Sequence, residues 1–139
     1  MPARGKTVLV VDDEGALRTL AAKVIEKQGY TVVTASEGIE ALAILSGGTA
    51  VDLLVLDVVM PGLNGLQTLE EIRKRWSSTE LPVVLLTAQS KDEQIIGGYK
   101  KGADYYLTKP LKPSALVNII DYLIGDLSPE ETAKIEPLL

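Results

Sequence analysis

Asp12 and Asp13 follow the apolar run Val-Leu-Val-Val, Asp57 follows Leu-Leu-Val-Leu, Thr87 follows Val-Val-Leu-Leu, and Lys109 follows Tyr-Tyr-Leu-Thr. Three carboxylates, a hydroxyl and an ammonium thus stand at the ends of short apolar runs. Such a set can hold a hard cation, supply a carboxylate nucleophile and neutralise an incoming anion. The rest of the composition narrows the chemistry further, because the sequence contains no Cys and no His. Thiol nucleophiles, disulfides, imidazole bases and His- or Cys-ligated zinc are therefore excluded, and this chain cannot carry a phosphohistidine.

The elements that must position these residues follow from the pattern. Four- to five-residue runs rich in Val and Leu read as strands buried on both faces, as a parallel sheet requires. Their C-terminal ends then share one edge, where open parallel sheets bind ligands. Between them lie stretches of helical periodicity. Leu17, Leu20, Ala21, Val24 and Ile25 make one buried face, closed by Gly29. A strand near Thr31 to Thr34 follows, then a helix from about Glu37 to Leu45 that leaves through Gly47 and Gly48. Pro61, Gly62 and Gly65 turn the chain into a helix carrying Leu66, Leu69, Ile72 and Trp76. Pro82 opens the strand Val83 to Leu86, and Asp92 to Lys101 form a weaker helix with Gly97 and Gly98 in its interior. Gly102 precedes the strand Tyr105 to Thr108, and Pro113 opens a helix to about Ile124. Five βα units with right-handed crossovers predict an α/β fold: a doubly wound, five-stranded parallel sheet in the flavodoxin-like order 2-1-3-4-5.

A chain of 139 residues with 46% apolar content suits one domain with a real core. We expect that domain over residues 1–125 and a C-terminal extension over 126–139. The net charge is −5, and Arg73, Lys74 and Arg75 form the only short basic cluster, at a helix end. Direct nucleic-acid binding is not expected. Asp12 and Asp13 cut off the first apolar run far short of a signal-peptide core or membrane span, so a soluble, cytoplasmic protein is expected.

Each candidate has a plain explanation when taken alone. Asp13 could cap the first helix, Asp57 could sit in a turn, Thr87 and Tyr106 could be structural, and Lys109-Pro110 could be a surface loop. Their recurrence at the ends of four separate buried strands is what those explanations fail to cover.

Val10-Val-Asp-Asp-Glu14, the block Asp57-Val-Val-Met-Pro-Gly-Leu-Asn-Gly65, Thr87-Ala88, and Gly102-Ala-Asp104 leading to Tyr106-Leu-Thr-Lys-Pro110 together resemble the receiver domain of two-component response regulators, over residues 6–124. The resemblance implies a phosphorylation-controlled signalling module, not an enzyme with a separate substrate. It implies that Asp57 accepts a phosphoryl group from a phosphohistidine on a sensor histidine kinase or phosphotransfer protein. It also implies that Asp12, Asp13 and Asp57, with the backbone carbonyl of Val59, hold Mg²⁺, for which Mn²⁺ could substitute. Thr87 and Lys109 would bind phosphoryl oxygens, and Thr87 with Tyr106 would relay the change to a face made by the Gly97-Gly98 helix, the Tyr106 strand and the last helix. A downstream protein or an output domain would read that face, with the chain a monomer or a weak phosphorylation-dependent dimer. The resemblance further implies a cis Lys109-Pro110 bond.

Two other readings of a strand-end Asp compete. A haloacid dehalogenase-type phosphatase would need a second Asp where Val59 stands, and a flavodoxin-like flavin carrier would place its phosphate against Asp12, Asp13 and Glu14. The chain also departs from the family pattern. Apolar Val59, with Gln89, flanks the expected water path and predicts slow loss of the phosphoryl group, and Leu111 stands where Phe is usual. In the last helix, Ser114, Asn118, Asp121 and Gly125 form a narrow polar stripe flanked by Val117, Tyr122 and Ile124, which predicts a covered apolar face. Ser128-Pro-Glu-Glu131 is a capping box that begins either a short helix or a linker in a regulatory domain of a larger effector.

Overall fold

The structure, a computed structural model, describes residues 5–58, 64–87 and 102–125. The readings that concern Val59, Gln89, the helix over 92–101 and the extension over 126–139 lie outside the described residues.

Five strands form one parallel sheet: β1 (Thr7–Val11), β2 (Thr31–Ala35), β3 (Leu53–Asp57), β4 (Val83–Thr87) and β5 (Tyr105–Thr108). Their order is β2-β1-β3-β4-β5, as expected. Among the described residues four helices accompany them: α1 (Gly15–Glu26), α2 (Gly38–Ser46), α3 (Gly65–Arg73) and α4 (Pro113–Ile124).

The unbroken apolar runs of β1, β3 and β4 reflect burial on both sides. Side chains alternate across a strand. Leu9, Val11, Leu54, Leu56, Val83 and Leu85 therefore enter one core cluster with Ala41, Leu69 and Ile72 of α2 and α3. Val8, Val10, Leu53, Val55, Val84 and Leu86 enter the other with Ala21 and Ile25 of α1 and Leu116, Ile119 and Ile120 of α4. Both faces being dry, the sheet's own edge of loops is where polar groups can collect.

Three local expectations are corrected. Leu20, placed on the buried face of α1, is 43% exposed, because Ala21 and Ile25 define the line that meets the sheet. Trp76 lies beyond α3, which ends at Arg73, and packs half-buried on the α2/α3 core from the following turn. The polar stripe of α4 is partly occupied. Ser114 and Asn118, with Val117, line a groove of about 490 Å³ against Val24, Lys27 and Gln28 of α1. Asp121 accepts a 2.6 Å hydrogen bond from the Tyr30 hydroxyl. The stripe is therefore in part the side of α4 that neighbours α1, while Tyr122 is 38% exposed.

Candidate phosphoacceptor site

The site is built at the C-terminal ends of β1, β3, β4 and β5. Asp12 is buried at 2% exposure, and its backbone N–H donates to Ala35 O at 3.2 Å, continuing the ladder to β2. Its Oδ1 accepts the Glu14 N–H at 2.9 Å, and the Arg18 guanidinium donates to its carbonyl at 2.7 Å. Asp12 is thereby held from both its main chain and its side chain. Asp13 beside it is exposed. The N-cap of α1 is Glu14, with no side-chain cap bond, so Asp13 does not cap the helix.

Asp57 ends β3 and is 3% exposed. Behind it, Val58 N–H donates to Leu86 O at 2.9 Å and Gly65 N–H donates to Val58 O at 2.8 Å, so α3 starts directly against the backbone that carries the carboxylate. Only glycine fits there. A Cβ built on Gly65 would stand 2.2 Å from Asp57 O and 2.6 Å from Val58 Cα. Asn64 and Gln67 close this start reciprocally as a capping box: Asn64 Oδ1 accepts the Gln67 N–H at 2.9 Å and Gln67 Oε1 accepts the Asn64 N–H at 3.0 Å.

Thr87 ends β4 with no exposed surface, and its carbonyl accepts the Lys109 N–H at 2.6 Å, which carries the β4–β5 pairing one residue past Thr108. The Lys109-Pro110 bond is cis. The Lys109 Nζ lies 3.4 Å from Asp57 Oδ2 and 3.5 Å from Asp12 Oδ2. Burial alone would lower the Lys109 pKa, but the two carboxylates and their hydrogen bonds outweigh it and hold the ammonium above its ordinary value. It is charged at neutral pH. One oxygen from each of Asp12, Asp13 and Asp57 lies within 4.8 Å of the others, and among the described residues Lys109 pairs with two of the three, Asp12 and Asp57. That surplus of negative charge, on hard oxygen donors, is what a divalent cation such as Mg²⁺ fits.

Tyr106 sits on β5 at 9% exposure, with its side chain in the α2/α3-side core, opposite Leu85 of β4. The basic cluster at the end of α3 is not a free patch. Lys74 pairs with Glu71 at 2.9 Å, Arg75 donates to Ser46 Oγ at 2.6 Å and lies over the Trp76 ring, and Arg73 is drawn inward to Asp104 at 2.9 Å. Burial pulls the Arg73 guanidinium below its ordinary value, with Asp104 opposing. In sequence Gly65 reads as part of the turn into α3 and Arg73 as part of a basic cluster, while the contacts that these two and Arg18 make leave no local pattern. The Asn64-x-x-Gln67 spacing is a capping-box signal that the sequence offers at the start of α3.

Residues 8–121 match the response regulator receiver domain model. The chain belongs to that family. Among curated relatives, this receiver is 34% identical to the phosphate regulon transcriptional regulatory protein PhoB of Pseudomonas aeruginosa, over 81% of this chain and 49% of that protein. It is 40% identical to the transcriptional regulatory protein CpxR of Klebsiella pneumoniae, over 79% of this chain and 45% of that one. The chain thus spans about half the length of these relatives. Among solved structures, the receiver domain of Francisella response regulator 1452 superposes with a TM-score of 0.78 at 34% identity, covering 86% of this chain and 96% of that one. The Vibrio cholerae chemotaxis protein CheY4 gives 0.79 at 30% identity, over 88% and 100%. The receiver is a two-component signalling domain, and no helix among the described residues is long and apolar enough to cross a membrane.

Proposed function

We propose that this receiver accepts a phosphoryl group at Asp57, with Mg²⁺ held by Asp12, Asp13 and Asp57, and that Thr87 and Tyr106 convert the event into a change of surface. The observation that carries this reading is the Lys109 ammonium within 3.5 Å of both buried carboxylates, on strands otherwise sealed by apolar packing. An Asp57 oxygen attacks phosphorus, the bond from phosphorus to a kinase imidazole nitrogen breaks, and the imidazole keeps that electron pair. An acyl phosphate results. The bound cation would supply charge neutralisation to the transferring group. Lys109, already shared between Asp12 and Asp57, can turn to a phosphoryl oxygen without leaving the site. Thr87, at the end of the adjacent strand, would donate its hydroxyl to another, and Tyr106 lies on the strand beyond, two residues before Thr108, the register partner of Thr87.

A sensor histidine kinase or phosphotransfer protein would be its physiological donor, since the chain has no His of its own to carry a phosphohistidine. Because the chain spans half of relatives called transcriptional regulators, we also propose that such a receiver serves as the regulatory part of a larger effector. Incubation with Mg²⁺ and acetyl phosphate, read by intact mass and peptide mapping, tests the reading. One phosphoryl group on Asp57 is expected in the wild type and none in Asp57→Asn. An unmodified wild type in the presence of Mg²⁺ would overturn it.

A further inference from the structure

Arg73 is the residue whose interactions most exceed what a helix end needs. Its Nε donates to Gly102 O at 2.8 Å, one terminal nitrogen donates to Leu81 O at 2.7 Å and to Trp76 O at 3.2 Å, and the other meets Asp104 Oδ2 at 2.9 Å. The same Asp104 oxygen accepts the Val83 N–H at 2.7 Å, while Asp104 N–H donates to Val83 O at 2.8 Å. Asp104 and Val83 therefore exchange two hydrogen bonds just where β4 and β5 begin, with the carboxylate standing in for a ladder carbonyl. Gly102 permits the close approach, for it has a φ of 105° and an added Cβ would lie 2.9 Å from the Arg73 side chain. The pair is largely buried, at 14% and 19% side-chain exposure.

This cluster sits at the opposite end of the sheet from the phosphoacceptor site. Val83 to Thr87 spans about 13 Å at strand rise. Yet β4 and β5 are the strands that deliver Thr87 and Lys109, and β5 is a four-residue strand paired only with β4 in the described sheet. As an edge strand β5 takes its ladder bonds from one neighbour only, and a slip of one residue would reverse every side chain on it, Tyr106 included.

We propose that Arg73 is a positioning residue: through Asp104 and Gly102 it locks the register of β5 against β4 and so places Lys109 for the chemistry at Asp57. The inference rests on the phosphoacceptor reading above. It distinguishes two halves of the site, since Asp12, Asp13 and Asp57 come from β1 and β3, which the clamp does not touch, whereas Thr87 and Lys109 come from the strands it joins. Misplacing a positioned group by about 1 Å can cost up to a hundredfold in rate.

Arg73→Lys keeps the charge but loses the planar fork that reaches three segments at once, and Asp104→Asn keeps an acceptor for Val83 while removing the ion pair. Lys74→Gln, in an exposed pair with Glu71, is the control. Three measurements on the full chain suffice: the rate of Asp57 phosphorylation by acetyl phosphate at saturating Mg²⁺, the Mg²⁺ dissociation constant, and amide exchange of Tyr105 to Thr108 against Val8 to Val11. The expected result for both clamp variants is a rate lowered by about tenfold or more, Mg²⁺ affinity no weaker than that of wild type, and faster exchange in β5 only. Lys74→Gln should match wild type in all three. Wild-type rates in both clamp variants, or Mg²⁺ affinity falling in step with rate, would overturn the clamp as a positioning device. If the wild type itself is not modified, the phosphoacceptor reading fails. The clamp is still judged separately, because unchanged β5 exchange in both variants refutes it.

Discussion

Replacing Gly65 by Ala adds one methyl group at the point where α3 meets the backbone of Asp57, the proposed phosphoacceptor. The new Cβ would stand 2.2 Å from Asp57 O, about 1.2 Å inside the 3.4 Å of ordinary contact, and 2.9 Å from Asp57 C. Its neighbours are backbone atoms of a fully buried strand, so no side chain can rotate away. Either α3 retreats from the sheet or Asp57 and Val58 are pushed along their strand. Overpacking of this kind costs about 1–3 kcal/mol, with the upper end apt for rigid backbone, and up to about 1 kcal/mol is recovered because Ala favours a helix over Gly. The net loss is then roughly 2 kcal/mol, a fall in Tm of roughly 6–10 °C for a domain of this size. Displacement of Asp57 by even part of that distance should also slow its modification by about tenfold or more. Thermal unfolding by circular dichroism and acetyl phosphate labelling with Mg²⁺ read the two effects independently. A Tm within 2 °C of wild type (under about 1 kcal/mol) together with an unchanged labelling rate would refute the contact as a constraint on the site.

Lys109→Met removes the cation shared by Asp12 and Asp57, so isothermal titration should show Mg²⁺ bound several-fold more tightly by charge balance alone, while labelling of Asp57 slows; weaker Mg²⁺ binding would count against the observed pairing. Tyr30→Phe deletes the 2.6 Å bond to Asp121 and should lower urea-unfolding stability by about 1.5 kcal/mol, as for a hydrogen bond to a charged acceptor, without altering Asp57 labelling. Asn64→Ala breaks the capping box at the start of α3 and should cost about 1 kcal/mol in the same unfolding assay; a change below about 0.3 kcal/mol would mean the helix start is fixed by Gly65 packing alone.

The strand ends were legible because burial on both faces of a parallel sheet leaves a local mark, a run of Val and Leu stopped by a polar residue. β3 ends at Asp57 and β4 extends one residue beyond its apolar run to Thr87 for that reason. The bounds of α4 were legible too, from Pro113 at its start to Ile124 at its end. Arg73 was not. In sequence it belongs to a run of three basic residues, and only the return of the chain at Gly102 and Asp104 turns it inward. The stripe on α4 has a related cause: Asp121 belongs to it by spacing, and its partner Tyr30 comes from the segment between α1 and β2, distant in sequence.

Residue types alone settled the range of chemistry. Without His or Cys, only carboxylates, a hydroxyl and an ammonium stand at the strand ends, and the apolar periodicity that buries those strands is a property of near neighbours along the chain. Which of those groups meet is decided by the tertiary structure. Lys109 reaches Asp12 and Asp57 because β5, β4, β3 and β1 are stacked in one register, so that four ends separated in sequence arrive at one edge. Register depends on hydrogen bonds and packing between distant segments, including the Arg73 cluster and the Gly65 contact, and no local pattern in the chain encodes those distances.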